Sequence, residues 1–202
     1  MITLYHAPRS RSSAIIWLLE ELQTPYQVEI VPIVYGNGQG RPAPESYRHI
    51  HPHKKVPAID HDGVIVHECA AVTLYLADAF PKAGLAPAIG DPRRGSYVTW
   101  LAYWAGPMNS IATARFRGWD KDAAAPTGFG TFEDMENFMA ATLEEHPYIV
   151  GDRFTAADVL VGGAIDFFVQ GGVLSKRKAF EEYSKRLAAR PARERALAKD
   201  NG

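Results

Sequence analysis

Residues 56–71 read VPAIDHDGVIVHECAA, and this stretch decides the fold. An Asp-Gly pair at 62–63 separates two short apolar runs, and Asp-Gly in that setting is a strong signal of a tight β-turn. From Glu68 to Phe80 the apolar residues follow the spacing of a helix. The stretch therefore predicts a β-hairpin that leads directly into a helix.

Strand and helix signals also alternate upstream of this stretch. The short apolar run Ile2–Tyr5 ends before a proline and predicts a buried strand. Residues 14–22 follow serines that can cap a helix, so they predict one. The alternating run Tyr26–Ile33 predicts a second strand, and the irregular segment 36–54 predicts a long loop. The predicted order is β-α-β-loop-β-β-α.

The pattern changes after Phe80. Residues 81–90 are rich in proline, glycine and alanine and predict a linker. Beyond them only helical patterns occur, about five in number, and two carry the Thr-x-x-Asp spacing of a capping box. The sequence therefore predicts an α/β domain at 1–80, a linker at 81–90 and an all-α domain at 91–202.

Composition narrows the possible functions. The chain has 202 residues, a net charge of −1 and a 47% hydrophobic share, which suits a globular protein and gives no charge-based reason to expect a nucleic-acid or membrane partner. Its single cysteine excludes a disulfide scaffold and a zinc site built from several cysteines of the chain. No signal peptide or long apolar span is visible, so we expect a cytoplasmic protein.

The string Val56–Ile59 and the later string Glu68–Ala71, within this order of strands and helices, resemble the cytosolic glutathione S-transferase family. Residues 154–159 and 186–191 are similar to strings of the family's helical domain, so the resemblance covers nearly the whole chain. It implies a thioredoxin-like N-terminal domain with a mixed four-stranded sheet. It also implies a homodimer that joins the thiolate of glutathione to small hydrophobic electrophiles, as in detoxification.

The resemblance implies a set of glutathione-binding residues. The bond before Pro57 is cis in the family, and the turn exposes the backbone of the preceding residue, here Val56, to pair with the cysteinyl backbone of glutathione. Lys55 matches a position that contacts glutathione near this turn, and a basic residue there suits the glycyl carboxylate. Arg41 and His53 are further candidates for that carboxylate.

Glu68 and Cys69 match the family's site for the γ-glutamyl end. The Glu68 carboxylate can pair with the ammonium group, while the helix amides and residue 69 can hold the carboxylate. The family usually has serine where this chain has Cys69. A thiol is a weaker donor than a hydroxyl. Cys69 is therefore a weak ligand, a partly ionised and redox-sensitive thiol, or a small buried residue.

Conjugation requires the thiol of glutathione as a thiolate. Lowering a thiol pKa from about 8.5 by about two units takes about 2.7 kcal/mol, which one well-placed hydroxyl together with a helix N-terminus can supply. Ser10 matches the catalytic serine of the serine-type classes. Ser12 and Tyr5 are alternatives, as are Arg11 and the loop backbone; each serine can equally cap the following helix, and Tyr5 can equally be a core aromatic.

A pocket for the electrophile is harder to predict. The candidate lining residues share helical spacing on the first long helix of the all-α domain, a pattern that is equally typical of core packing. They are Tyr103, Met108, Ile111, Arg115 and Phe116. No metal is expected, because the alternating histidines 49, 51 and 53 lie in a loop and indicate surface residues.

Two other functions fit the same residues. One is another glutathione-dependent activity on this fold: a peroxidase, an isomerase, a dehalogenase or an ether-cleaving transferase. The other is a non-catalytic module of the same fold that binds ligands or protein partners.

Overall fold

The computed structural model describes residues 1–119 and 128–200. The chain forms two compact units. The first combines Met1–Gly84 with the C-terminal segment that begins at Ala188, and the second is Leu85–Leu187.

The first unit is built on a four-stranded mixed sheet with the strand order β2-β1-β3-β4. Strand β1 pairs in parallel with β2 and antiparallel with β3, which confirms the predicted thioredoxin-like arrangement. The strands and the helices that join them are β1 (Ile2–His6), α1 (Ser13–Leu22), β2 (Tyr26–Ile30), β3 (Ala58–His61), β4 (Val64–His67) and α2 (Cys69–Ala79).

The predicted hairpin is β3 and β4. Asp62 and Gly63 both have positive φ angles, 52° and 89°, as a two-residue hairpin turn that follows the twist of the strands requires. Ala58 pairs with His67 at the open end of the hairpin. The residues that precede β3 and follow β4 therefore lie at the same edge of the sheet, and α2 begins there.

The last helix, α8 (Pro191–Asp200), packs against α1 in the first unit. Arg190 contacts both carboxylate oxygens of Glu21 at 2.6 and 2.7 Å, and Arg195 contacts the buried Glu20 at 2.9 Å. These are charge-assisted, partly buried contacts between the two helices.

The location of α8 changes the predicted division of the chain. The sequence analysis assigns all of 91–202 to the helical domain, a range that includes the undescribed residues 120–127 and 201–202. The contacts instead group the segment from Ala188 with the α/β unit. The sequence does not reveal where α8 packs, because a helical pattern is the same whichever unit the helix contacts.

The second unit is helical, as predicted. Its helices are α3 (Arg93–Tyr103), α4 (Asn109–Arg117), α5 (Phe132–Glu145), α6 (Ala156–Gln170) and α7 (Lys178–Ala188), and a π-helical turn at Trp104–Met108 joins α3 to α4. Within the described residues, every helix is too short or too polar to cross a bilayer.

Both predicted capping boxes are confirmed, at the starts of α5 and α6. The second is buried. Asp158 accepts hydrogen bonds from the backbone N–H groups of Ile149 and Thr155 at 2.8 and 2.7 Å, and from the Tyr183 hydroxyl at 2.8 Å. Burial raises the pKa of Asp158, against the lowering effect of these hydrogen bonds.

We expect the two capping aspartates to differ in their effect on stability. Asp158→Ala leaves several buried donors without an acceptor and should lower the free energy of unfolding by about 3 kcal/mol or more. Asp134→Ala removes the exposed capping box of α5 and should cost about 1 kcal/mol. Urea denaturation of both variants measures the difference, and equal losses would contradict this account of α6.

Candidate functional site

The first part of the site is the backbone at Val56. The bond between Val56 and Pro57 is cis, the isomer expected from the family resemblance. Neither the N–H nor the C=O of Val56 is engaged by another backbone group in the described part of the chain. The Tyr47 hydroxyl donates to the carbonyl of the preceding Lys55 at 3.1 Å, and Tyr47 packs against Tyr5 with ring centroids 5.6 Å apart. The buried pair of Tyr5 and Tyr47 thus holds the backbone at Lys55, directly before Val56.

Glu68 is held in an unusual backbone conformation at the same edge. Its φ of 72° and ψ of 127° are sparsely populated for a residue with a side chain. It is the N-cap of α2 but makes no side-chain capping bond, so its carboxylate, 67% exposed, points away from the helix amides. The first turn of α2 therefore offers unsatisfied N–H groups beside an exposed carboxylate.

Cys69, the first residue of α2, is a buried thiol. Only 4% of its surface is exposed, and its Sγ lies 3.8 Å from the Arg11 carbonyl oxygen, toward which the thiol donates. Burial raises the pKa of Cys69 to about 12. The interpretation of Cys69 as a partly ionised thiol is therefore wrong, because loss of hydration outweighs the attraction of the helix N-terminus. The group that Cys69 can still offer to a ligand is its backbone amide, in the first turn of α2.

His51 corrects another expectation from the sequence. His49 and His53 are exposed, but His51 is 2% exposed and stacks on His67, with ring centroids 4.7 Å apart. Burial and the neighbouring His67 lower the pKa of His51. Its Nε2 lies 3.8 Å from Glu68 Oε1, so a neutral, buried histidine faces the exposed Glu68 carboxylate.

His51, His67 and Glu68 have ligand atoms within 4.8 Å of one another, close enough to consider a metal site. The hydrogen bonds oppose one. His51 Nδ1 accepts the His53 backbone N–H at 3.2 Å, so the proton of the neutral ring is on Nε2. The nitrogen that faces Glu68 therefore carries hydrogen rather than a lone pair, and it suits a carboxylate better than a cation.

The remaining binding candidates lie in the segment between β2 and β3. Arg41, His53 and Lys55 are exposed there. Lys55 is next to Val56 along the chain. Lys54 is committed elsewhere, since its Nζ lies 3.0 Å from a Glu45 carboxylate oxygen.

Of the three candidate hydroxyls, only Ser10 has both a polar setting and exposed surface. Tyr5 is a core residue whose pKa is raised by burial, and Ser12 is completely buried. Ser10 is partly exposed; its Oγ accepts the Ser12 N–H at 3.2 Å and lies 2.7 Å from Ser12 Oγ. Ser12 occupies the N-cap position of α1 without bonding the helix amides, because its hydroxyl is turned toward β1.

Two residues that sequence analysis missed lie behind Ser12. His6 Nδ1 is 2.7 Å from Ser12 Oγ, and Asp200 Oδ1 is 3.2 Å from His6 Nε2. Asp200 also accepts the Ser13 hydroxyl at 2.6 Å and lies 3.3 Å from the Arg9 backbone N. A histidine at the end of a buried strand gives a weak signal, and an aspartate at the end of an exposed-looking helix gives none.

The candidates for the electrophile pocket lie in the second unit with different exposures. Met108 and Ile111 are buried, at 1% and 3% exposure, which assigns their side chains to packing within this unit. Tyr103 is half-buried against Phe138. Arg115 lies over the Phe132 ring at 4.5 Å, and Phe116 is 56% exposed.

Comparisons with known proteins identify relatives of the whole chain and of its first unit. Residues 4–85 match the family model described as "Glutathione S-transferase, N-terminal domain". The chain is 27% identical to Glutathione S-transferase 3 of Schizosaccharomyces pombe over 215 residues, 95% of this chain and 85% of that protein. It is 27% identical to maleylacetoacetate isomerase of Rattus norvegicus over 140 residues, 65% of this chain and 62% of that protein.

A solved structure described as a ternary complex of BphK, a bacterial GST, has the same fold. Its TM-score is 0.82 at 22% identity, and the match covers 99% of this chain and all of that chain.

The burial of Cys69 predicts that it reacts slowly. A pKa of about 12 leaves about one thiol in 10⁴ ionised at pH 8, against about a quarter at an ordinary value of about 8.5. We expect alkylation by iodoacetamide at pH 8 to be about a thousandfold slower in the folded chain than in urea. The chain has no other cysteine, so mass spectrometry reads the rate directly. Rates within tenfold of each other would contradict the burial.

Proposed function

We propose that the chain is a cytosolic glutathione S-transferase and that it transfers the thiolate of glutathione to small hydrophobic electrophiles. The observation that carries the proposal is one edge of the sheet. Val56, with an unpaired backbone, and Glu68, with an exposed carboxylate, meet there beside the first turn of α2.

The tripeptide backbone suits the turn at Val56. The unpaired N–H and C=O of this residue can exchange two hydrogen bonds with the cysteinyl residue of glutathione, as an added strand does. Lys55, beside the turn, supplies a positive charge for the glycyl carboxylate, and Arg41 and His53 are further basic groups for it. The aromatic support from Tyr47 keeps the turn rigid before the ligand arrives.

The γ-glutamyl end suits the start of α2. The ammonium group pairs with the Glu68 carboxylate, and the α-carboxylate accepts the amides of the first helical turn, including that of Cys69. The Glu68 side chain makes no capping bond to those amides, so both charges of the ligand find partners.

Ser10 is the group we assign to thiol activation. Ser10 is the partly exposed hydroxyl on the loop that leads into α1. The Arg11 carbonyl of that loop lies 3.8 Å from Cys69 Sγ, so the loop borders the start of α2. Its hydrogen bond to the thiolate, worth about 1.5–3 kcal/mol, lowers the thiol pKa by about one to two units. A stronger base in contact with the sulfur is not needed.

The proposal extends to the setting of the enzyme. Glutathione is the co-substrate and no metal takes part. The partners are the electrophile and a second copy of the chain. The protein acts in the cytoplasm, and its physiological context is detoxification. These features follow the family rather than any contact described above.

Replacing the Ser10 hydroxyl should weaken thiolate formation. In Ser10→Ala we expect the pKa of bound glutathione to rise by about one to two units, with kcat for conjugation falling by about tenfold or more at pH 6.5. Ultraviolet titration of the thiolate band measures the pKa. Ser96→Ala, which removes an exposed hydroxyl from α3, is the control. An unchanged pKa in Ser10→Ala would reject Ser10 as the activating group.

Glu68 should recognise the ammonium group and nothing else. We expect Glu68→Gln to weaken glutathione binding by about tenfold or more, the value of a charge-assisted pair. The same change should leave binding of glutaryl-cysteinylglycine, which lacks the ammonium, within twofold. Calorimetry with both peptides measures this, and Glu29→Gln on the exposed strand β2 is the control. An equal loss for both peptides would show that Glu68 acts through the fold instead.

A second activity is favoured by the similarity to maleylacetoacetate isomerase. Thiolate addition to a conjugated double bond, rotation and elimination would give cis–trans isomerisation with glutathione regenerated. The two activities share the glutathione subsite and differ in whether the thiol remains attached. Mass spectrometry of the product separates them: a glutathione adduct indicates transfer, and an unmodified trans product indicates isomerisation.

A further inference from the structure

Behind Ser10 lies a chain of polar groups that ends in a buried ion-pairing residue. Ser10 Oγ is 2.7 Å from Ser12 Oγ, Ser12 Oγ is 2.7 Å from His6 Nδ1, and His6 Nε2 is 3.2 Å from Asp200 Oδ1. Ser12, His6 and Asp200 are all buried, and only the Ser10 end is partly exposed. His6 Nε2 makes no hydrogen bond within the described residues, so its contact with Asp200 is electrostatic.

In one arrangement of the hydrogen atoms, Ser10 and Ser12 both donate inward, toward His6. Ser12 Oγ accepts the Ala7 N–H at 3.1 Å and has one further acceptor position and one hydrogen. With Nε2 of His6 protonated toward Asp200, Nδ1 has a lone pair. Ser12 then donates to His6 Nδ1, and Ser10 donates to Ser12. In this state the Ser10 hydrogen is unavailable to a sulfur atom, but Ser10 Oγ can accept from a thiol.

The hydrogens can also point outward. With His6 Nδ1 protonated, His6 donates to Ser12, Ser12 donates to Ser10, and Ser10 donates to the ligand. Ser10 Oγ then accepts two hydrogen bonds, from the Ser12 N–H and the Ser12 hydroxyl, and each oxygen uses its full capacity. Only the outward state places a donor against a thiolate.

We propose that His6, positioned by Asp200, takes up through Ser12 and Ser10 the proton that the thiol of bound glutathione loses. This rests on the proposed function of Ser10. The sulfur gives its proton to Ser10 Oγ as the S–H bond breaks. Ser10 passes its own proton to Ser12, and Ser12 passes its proton to His6 Nδ1. The products are a thiolate that accepts from Ser10 and an imidazolium that faces Asp200, so no proton and no charge is lost.

Burial and charge suit His6 to this role. Burial lowers the pKa of His6, and the negative charge of Asp200 opposes the lowering, so the ring is neutral and able to accept a proton at pH 7. Asp200, from α8, is the charged group that acts on His6 among the described residues. A thiolate at the far end of the chain adds a second negative charge, which favours the imidazolium further.

A structural role alone is the competing explanation. Ser12 can donate to the Ala7 carbonyl at 3.3 Å, and Asp200 also holds Ser13 and Arg9, so the cluster could simply shape the loop. A purely structural cluster would leave the protonation of His6 unchanged when the thiol ionises. The two explanations therefore differ in a property that the unaltered chain reports.

The first measurement is ¹⁵N NMR of the His6 ring at pH 7 in the unaltered chain. We expect glutathione to shift Nδ1 from an unprotonated to a protonated signal, and S-methylglutathione, which has no ionisable thiol, to leave it unprotonated. An Nδ1 that stays unprotonated with bound thiolate would overturn the relay. The result does not depend on whether any variant folds.

The second measurement uses His6→Asn, which can hydrogen-bond Ser12 from the Nδ1 position but cannot titrate. We expect the pKa of bound glutathione to rise by about one unit, which leaves about fivefold less thiolate at pH 6.5, with S-methylglutathione affinity within twofold. The control is Arg195→Gln, which weakens the same contact between α8 and α1 but changes none of the residues of the proposed relay.

The outcomes separate the relay from the proposed function. A raised pKa in Ser10→Ala with none in His6→Asn would overturn the relay and leave Ser10 in place. Loss of S-methylglutathione binding in His6→Asn, in parallel with the thiol effect, would show a structural role and also overturn it. If the unaltered protein does not bind glutathione, both the relay and the proposed function are wrong.

Discussion

The contact between Asp200 and the loop after β1 is the constraint on which the proposed catalytic end of the site depends. Asp200 is the last residue of α8, yet its carboxylate is buried against Ser13, the Arg9 backbone and the ring of His6. The ion pairs from Arg195 of α8 to Glu20 and from the preceding Arg190 to Glu21 hold the helix in place. The buried carboxylate of Asp200 requires polar partners, and Ser13, the Arg9 backbone and His6 supply them. The loop that presents Ser10 is thus shaped by a residue from the opposite end of the chain.

The binding end of the site follows from a simpler constraint, the register of the β3–β4 hairpin. Because Ala58 pairs with His67, the turn at Val56 and the start of α2 must meet at one edge. The Asp-Gly turn fixes this register from within the hairpin. The backbone that we propose pairs with the peptide and the proposed γ-glutamyl subsite are therefore brought together by the hairpin that two turn residues close.

Local patterns explain which parts of this molecule could be predicted. The hairpin, α1, α2 and the capping boxes depend on residues close in sequence. Val56 and Glu68 were predicted from short strings that resemble the family, and their binding roles stay predictions. The burial of Cys69 and His51, the inward turn of Ser12 and the docking of α8 depend on packing between distant segments. The separation between His6 and Asp200 is nearly the whole chain, and no pattern of charge or spacing connects them. Burial also decides among the three interpretations of Cys69, since desolvation of the thiolate outweighs the attraction of a helix N-terminus.

The measurement that tests the central claim most directly is a crystal structure of the chain with glutathione bound. The account predicts the cysteinyl backbone paired with Val56, the ammonium against Glu68, and the sulfur within about 3.5 Å of Ser10 Oγ. A sulfur directed toward Tyr5 or Cys69, or more than about 5 Å from Ser10, would contradict the account.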